Sequence, residues 1–90
     1  MYNLEYTTKF KREYKQALKR GCKEALIQDV IASIATNILL PAKYKVHKLT
    51  GDYKDCWECH IQPDWLLIWQ INEKTNTLIL ISTGTHSDLF

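Results

Sequence analysis

Cys56-Trp57-Glu58-Cys59-His60 (CWECH, residues 56–60) is the stretch on which the fold turns. As letters, Cys-x-x-Cys-His spells a c-type haem attachment site, and its first four positions fit a dithiol redox pair or half of a zinc site. Each of those chemistries needs the two sulfurs side by side. The surrounding residues set them apart. Ile61, a Gln62-Pro63-Asp64 break and the apolar run WLLIW (65–69) follow, which is the pattern of a strand, a turn and a second, buried strand. Side chains alternate faces along a strand. The odd step from Cys56 to Cys59 therefore sends the sulfurs to opposite sides of a sheet, where they share no disulfide, metal ion or haem. The same alternation puts Cys56, Glu58 and His60 on one face. Trp57, Cys59 and Ile61 take the other, which reads as the core face.

Outward from this strand the pattern is that of an α+β domain. YNLEYT (2–7) alternates and is rich in β-formers, which predicts a first strand. Thr7 or Thr8 is placed to cap a helix running to about Arg20, with Phe10, Tyr14, Ala17 and Leu18 on its buried face. Gly21 suits the position just past its end. A second helix is expected over about Lys23–Asn37, with Ala25, Leu26, Val30, Ile34 and Ile38 forming a wide apolar stripe. So short a link makes the two helices an antiparallel hairpin. Residues 39–55 read as a connection, with Pro41 blocking helix continuation and Thr50-Gly51-Asp52 supplying turn chemistry. Strands are expected at about Tyr53–Ile61, Trp65–Ile71 and Thr77–Thr83, and the tail GTHSDLF as a final turn. The predicted order is β-α-α-β-β-β in a single domain, residues 1–90. The helical hairpin packs on one face of a largely antiparallel, twisted sheet, and the other face stays open.

Bulk properties narrow the class. The 90 residues are 46% hydrophobic and 24% charged, with a net charge of +2, an ordinary globular composition. No apolar run is long enough to span a membrane. The N-terminal stretch has no signal-like apolar core, so a cytoplasmic location is expected. The three cysteines, Cys22, Cys56 and Cys59, then read as reduced thiols. Bases cluster twice. Lys9, Lys11, Arg12, Lys15, Lys19, Arg20 and Lys23 sit together near the start, and Lys43, Lys45, Lys48 and Lys54 surround His47. Clustered bases suit a polyanion, although a lysine-rich helix face is equally the mark of simple solvation.

The three histidines, His47, His60 and His86, all lie at the edges of elements. Asp64 follows a hairpin break that could bring it near His60. Imidazoles titrate near neutrality and can give or take protons. Several of them with one carboxylate, beside lysines and without metal-ligand spacing, suit acid–base cleavage of a phosphodiester.

Three segments of the C-terminal half carry a resemblance, and the predicted β-α-α-β-β-β order extends it over the whole chain. They are His47-x-Leu49-x-Gly51, then His60-x-x-Pro63-Asp64-Trp65-Leu66-Leu67-Ile68, then Thr83-Gly84-Thr85-His86-Ser87-x-Leu89-Phe90. Together they resemble the YafQ-type toxins of the RelE/ParE superfamily. The resemblance implies a RelE-like fold and a cytoplasmic, ribosome-dependent endoribonuclease held inactive by a cognate antitoxin protein. Such an enzyme cuts mRNA in the ribosomal A site without metal or other cofactor. The ribose 2′-OH attacks the adjacent phosphate, leaving a 2′,3′-cyclic phosphate and a free 5′-OH. By position, His47, His60, Asp64 and His86 match the catalytic set, and Trp65 and Phe90 match positions associated with the site. The general base is drawn from His47, His60 and Asp64, and His86 is the general acid. Trp65 reads as packing within a buried strand.

The expected RNA-binding set is Lys43, Lys45, Lys48, Lys54, Ser82 and Phe90. Phe90 has two readings, a stacking platform for a base or a hydrophobic C-terminal anchor. Ser82 is a departure, because the family commonly carries an arginine there, expected to stabilise phosphate charge. Either Lys43, Lys45 or Lys48 replaces it from the loop, or the protein is a catalytically weak or inactive member that binds antitoxin or ribosome without cleaving. The gyrase-directed branch of the superfamily is disfavoured by the histidine set. The basic first helix is expected to meet ribosomal RNA, an acidic antitoxin segment or only solvent.

Overall fold

Thr7 opens the first helix. In the computed structural model, which describes all of residues 1–90, its backbone is extended and its Oγ1 accepts a hydrogen bond from the Phe10 amide at 3.0 Å. That is an N-cap, satisfying one amide that the helix leaves without a partner. Helix α1 covers Thr8–Lys19 and α2 covers Glu24–Ala35. Both end in the same way. The residue two past the helix turns left-handed, Gly21 at φ 95° and Asn37 at φ 61°. The amides that follow close back on the last turn, Cys22 on Ala17 O at 3.1 Å and Ile38 on Ser33 O at 2.8 Å. This Schellman closure is why α2 stops at Ala35 although its apolar pattern continues to Ile38.

Five strands form one sheet in the order β1-β5-β4-β3-β2. They are β1 Asn3–Tyr6, β2 His47–Lys48, β3 Trp57–Gln62, β4 Trp65–Asn72 and β5 Thr77–Gly84, followed by a short helix α3, His86–Leu89. β1 pairs parallel with β5, and all other pairs are antiparallel. The α+β class and the hairpin-on-sheet arrangement agree with expectation. Two elements are additional. β2 has only two residues, too few to show a period-2 pattern. α3 is a single turn held by a capping box in which Thr85 and Asp88 satisfy each other's amides. β3 also starts later than expected, because Gly51–Tyr53 forms a 3-10 turn and Asp55 is left-handed at φ 69°.

The main core lies between the helices and one sheet face. Phe10, Ile27, Val30 and Ile31 meet Cys59, Leu67, Trp69, Leu78 and Leu80. The opposite face was expected to be open and is only partly so. Leu89 of α3 packs there on Cys56, Leu66 and Ile68, with Leu49, Tyr53 and Ile81 at the margin. The closing turn of the chain thus builds a second, smaller core over half of that face and leaves the histidine end uncovered.

Candidate active site

The β2–β3 register sets His47 directly opposite Glu58. His60 is two residues on and so shares their face. In the next strands His60 pairs with Leu66, and Leu66 with Gly84. His86, two residues past Gly84, is brought back over the same face by the first turn of α3. Three histidines separated by up to 39 positions thereby converge. The rings of His60 and His86 are 5.4 Å apart, and those of His47 and His60 are 6.4 Å apart.

Asp64 is near His86 rather than paired with His60. Its Oδ1 accepts from His86 Nδ1 at 2.6 Å and from the His86 backbone amide at 2.9 Å. The turn after β3 and the start of α3 are adjacent because β4 and β5 pair out to Leu66–Gly84. The two hydrogen bonds from His86, the backbone one first, hold the Asp64 carboxyl below the usual carboxylate range. A carboxylate can only accept, so His86 Nδ1 carries a proton. Its Nε2 is the ring nitrogen left for chemistry, the arrangement by which an aspartate orients a catalytic imidazole.

Each ring nitrogen of His47 faces an oxygen. Nδ1 faces the Lys45 carbonyl at 2.7 Å and Nε2 faces Glu58 Oε1 at 3.1 Å. His60 Nε2 lies 4.0 Å from the same Glu58 oxygen, and its Nδ1 donates to the Pro63 carbonyl at 3.3 Å. Glu58 is 4% exposed, and its other oxygen has no hydrogen-bond partner within the protein. A buried carboxyl with an unpaired oxygen destabilises the fold, and such groups concentrate at functional sites. Sequence reasoning put Glu58 on the histidine face but did not single it out. The signal was its parity with His60.

The other expected positions divide. Lys43 and Lys45 line a cleft of about 480 Å³ with Tyr44, His60 and Pro63. Lys48 does not join them. It follows His47 by one residue, so it points to the opposite face, 5.5 Å over the Trp57 ring. Lys54 ends the Gly51–Tyr53 turn. Phe90 is 65% exposed and stands edge-on to Tyr53 at 5.6 Å. The buried C-terminal anchor is Leu89 instead. Trp65 is core packing, with its indole Nε1 donating to Thr83 Oγ1 at 3.0 Å. Ser82 is fully buried, and its hydroxyl donates to Glu13 Oε1 at 2.6 Å. The expectation that Ser82 offers RNA a hydrogen bond is therefore corrected. β1 reaches only to Leu80, and α1 packs along the rest of β5, covering position 82.

The cysteines take no part. Cys56 lies in the small core and Cys59 in the large one, both as free thiols. Burial, with the Glu58 charge adding to it, pushes the Cys59 thiol up to about 12. No three His, Cys, Asp or Glu side chains converge at metal-ligand spacing.

A model of the family described as "Bacterial toxin of type II toxin-antitoxin system, YafQ" matches residues 2–90. The chain belongs to the YafQ toxin family. The mRNA interferase toxin YafQ of Escherichia coli K12 is 35% identical over 89 residues, 98% of this chain and 95% of that one. A metal-bound toxin from Helicobacter pylori is 42% identical and superposes over all of both chains with a TM-score of 0.94. YafQ in the E. coli DinJ–YafQ complex superposes with a TM-score of 0.90 at 32% identity, covering 100% of this chain and 99% of that one. This YafQ-family chain thus has the fold and the family that its histidine segments implied.

Proposed function

We propose that this protein is a ribosome-dependent endoribonuclease toxin. It cuts mRNA in the ribosomal A site and is neutralised by a cognate antitoxin. The observation that carries this reading is the pairing of His86 with Asp64 at 2.6 Å, opposite a His60 ring 5.4 Å away that is linked to Glu58 and His47. One end of the site is built to hold a donor proton and the other to receive one. The mRNA interferase activity of the E. coli relative and the antitoxin-bound state of another YafQ structure support it.

In the proposed reaction His60 Nε2 takes the ribose 2′-OH proton, with the Glu58 carboxylate beside it balancing the charge. O2′ bonds to phosphorus as the P–O5′ bond breaks. His86 Nε2 delivers its proton to O5′, and Asp64 keeps that ring oriented. The products are a 2′,3′-cyclic phosphate and a free 5′-OH. Phe90, exposed beside the site, stacks on a base. The steps are written for side chains alone.

A binding-only member of the family is the second reading. The buried Ser82, which gives the site no cation from β5, is the observation that favours it.

The deciding experiment is primer extension on a message in a purified translation system. Wild type is expected to give ribosome-dependent cuts. His86→Ala, lacking its general acid, is expected to lose roughly 10²–10⁴-fold. No cutting by wild type would establish the binding-only reading.

A further inference from the structure

On the endoribonuclease reading above, we propose that Lys9 of α1 is the cation that binds the scissile phosphate, supplying from the helix the charge that β5 does not carry. Lys9 Nζ donates to Ser82 Oγ and to the Tyr53 hydroxyl, each at 3.2 Å. It stands 5.5 Å over the Tyr53 ring and 3.9 Å from Glu13 Oε2. Three residues, from α1, β5 and the loop before β3, therefore fix one lysine. An ordinary surface lysine must lose its rotamer freedom when it binds. This one has already lost it, and preorganised charge is what stabilises a developing oxyanion.

The position fits. Ser82 lies in one cross-strand row with Ile68 and Glu58, on the histidine face. Tyr53 leads to Phe90 through an edge contact, and the Phe90 amide closes on the His86 carbonyl at 2.9 Å. Lys9, Tyr53 and Phe90 thus form a continuous line that ends one helical turn from the proposed general acid.

The ammonium also has capacity left. Its two hydrogen bonds use two of three N–H groups, and the side chain is 45% exposed. Because Tyr53 accepts from Lys9, its own O–H is free to donate to a second phosphate oxygen. The placement works against the helix. α1 has no acidic residue in its first turn, and a cation there opposes the macrodipole. Of the other bases, Lys48 faces away, Lys43 and Lys45 line the cleft beside His60, and Lys11, Arg12, Lys15 and Lys19 line a separate groove of α1.

A purely structural Lys9, serving only to neutralise Glu13, predicts different behaviour. The test is single-turnover cleavage of a ribosome-bound message by wild type, Lys9→Met and Lys9→Arg. Each is run with a normal scissile phosphate and with each phosphorothioate diastereomer. Thermal melting is measured alongside, and Lys9→Met/Glu13→Gln serves where the lone carboxylate unfolds the single variant. Lys9→Met is expected to cut about 10- to 100-fold slower, somewhat less than the loss of a buried oxyanion donor. Lys9→Arg is expected to recover most of the rate, because it keeps the charge. The slowing caused by sulfur at one diastereotopic oxygen should shrink in Lys9→Met, since the partner of that oxygen is gone. Wild-type rates in Lys9→Met, or sulfur effects identical in wild type and variant, would overturn the proposal while leaving the endoribonuclease reading in place. Failure of wild type to cut would remove that reading and this proposal with it.

Discussion

Glu58 concentrates the conflict between stability and chemistry in one side chain. It is buried, one oxygen faces two imidazoles, and the other has no partner in the protein. A glutamine at this position keeps the shape and removes the charge, so it no longer balances a protonated His60 or His47. Glu58→Gln is therefore expected to cut roughly 10- to 100-fold more slowly, in the range of a lost acid–base contribution. Its melting temperature should be equal or higher, because no buried carboxylate remains to be desolvated. Cleavage assays beside thermal melts check this. A variant that loses stability and keeps its rate would make Glu58 a purely structural residue.

At the scale of elements, α3 is a single turn with a large consequence. It carries His86 into the site and Leu89 into the small core, and three contacts hold it. These are the Thr85–Asp88 capping box, the Asp64 bonds to His86, and the ion pair of Arg20 Nη1 with Asp88 Oδ2 at 2.6 Å. The hydrogen bond from Arg20, then that from the Thr85 amide, lower the Asp88 carboxyl from 3.8 to about 2. A group with a lowered folded-state pKa stabilises the fold fully above its unfolded value, and that stabilisation disappears as pH falls through the folded value. The contribution of Asp88 is thus intact above about pH 4 and fades towards pH 2. Arg20→Ala is expected to shift this acid loosening of α3 to higher pH. Amide exchange at Leu89 and Phe90, followed between pH 2 and 5, reports it directly. An unchanged midpoint would mean that the capping box alone holds the turn.

At the scale of the molecule, two cores share one sheet. Leu67 of β4 faces the large core and Leu66 the small one, and both are fully buried. Leu67→Ala is expected to cost about 2–5 kcal/mol in urea unfolding, a large part of the roughly 5–15 kcal/mol that holds a domain of this kind. Activity should fall with the folded fraction and not beyond it, since Leu67 is on the face opposite the histidines. A stable Leu67→Ala variant with a large loss of rate would tie the site to the packing of the helical layer.

The linear sequence carried everything that depends on parity, periodicity or local turn chemistry. Strand alternation separated Cys56 from Cys59 and gathered Glu58 with His60, because successive side chains leave a strand on opposite sides. Helical spacing chose Phe10 and Ala17 for the core, and Thr7 and Gly21 marked the ends of α1 through capping and a left-handed backbone. The segments around His47, His60 and His86 were enough to recognise the family. Only the tertiary structure could match Asp64 to His86, turn Lys48 away from the site, bury Ser82 under α1 and set Lys9 against it. Those outcomes depend on which strands are neighbours and on how far each pairing extends. These are long-range facts, set by the packing of two helices and one closing turn on the sheet, and no local pattern encodes them.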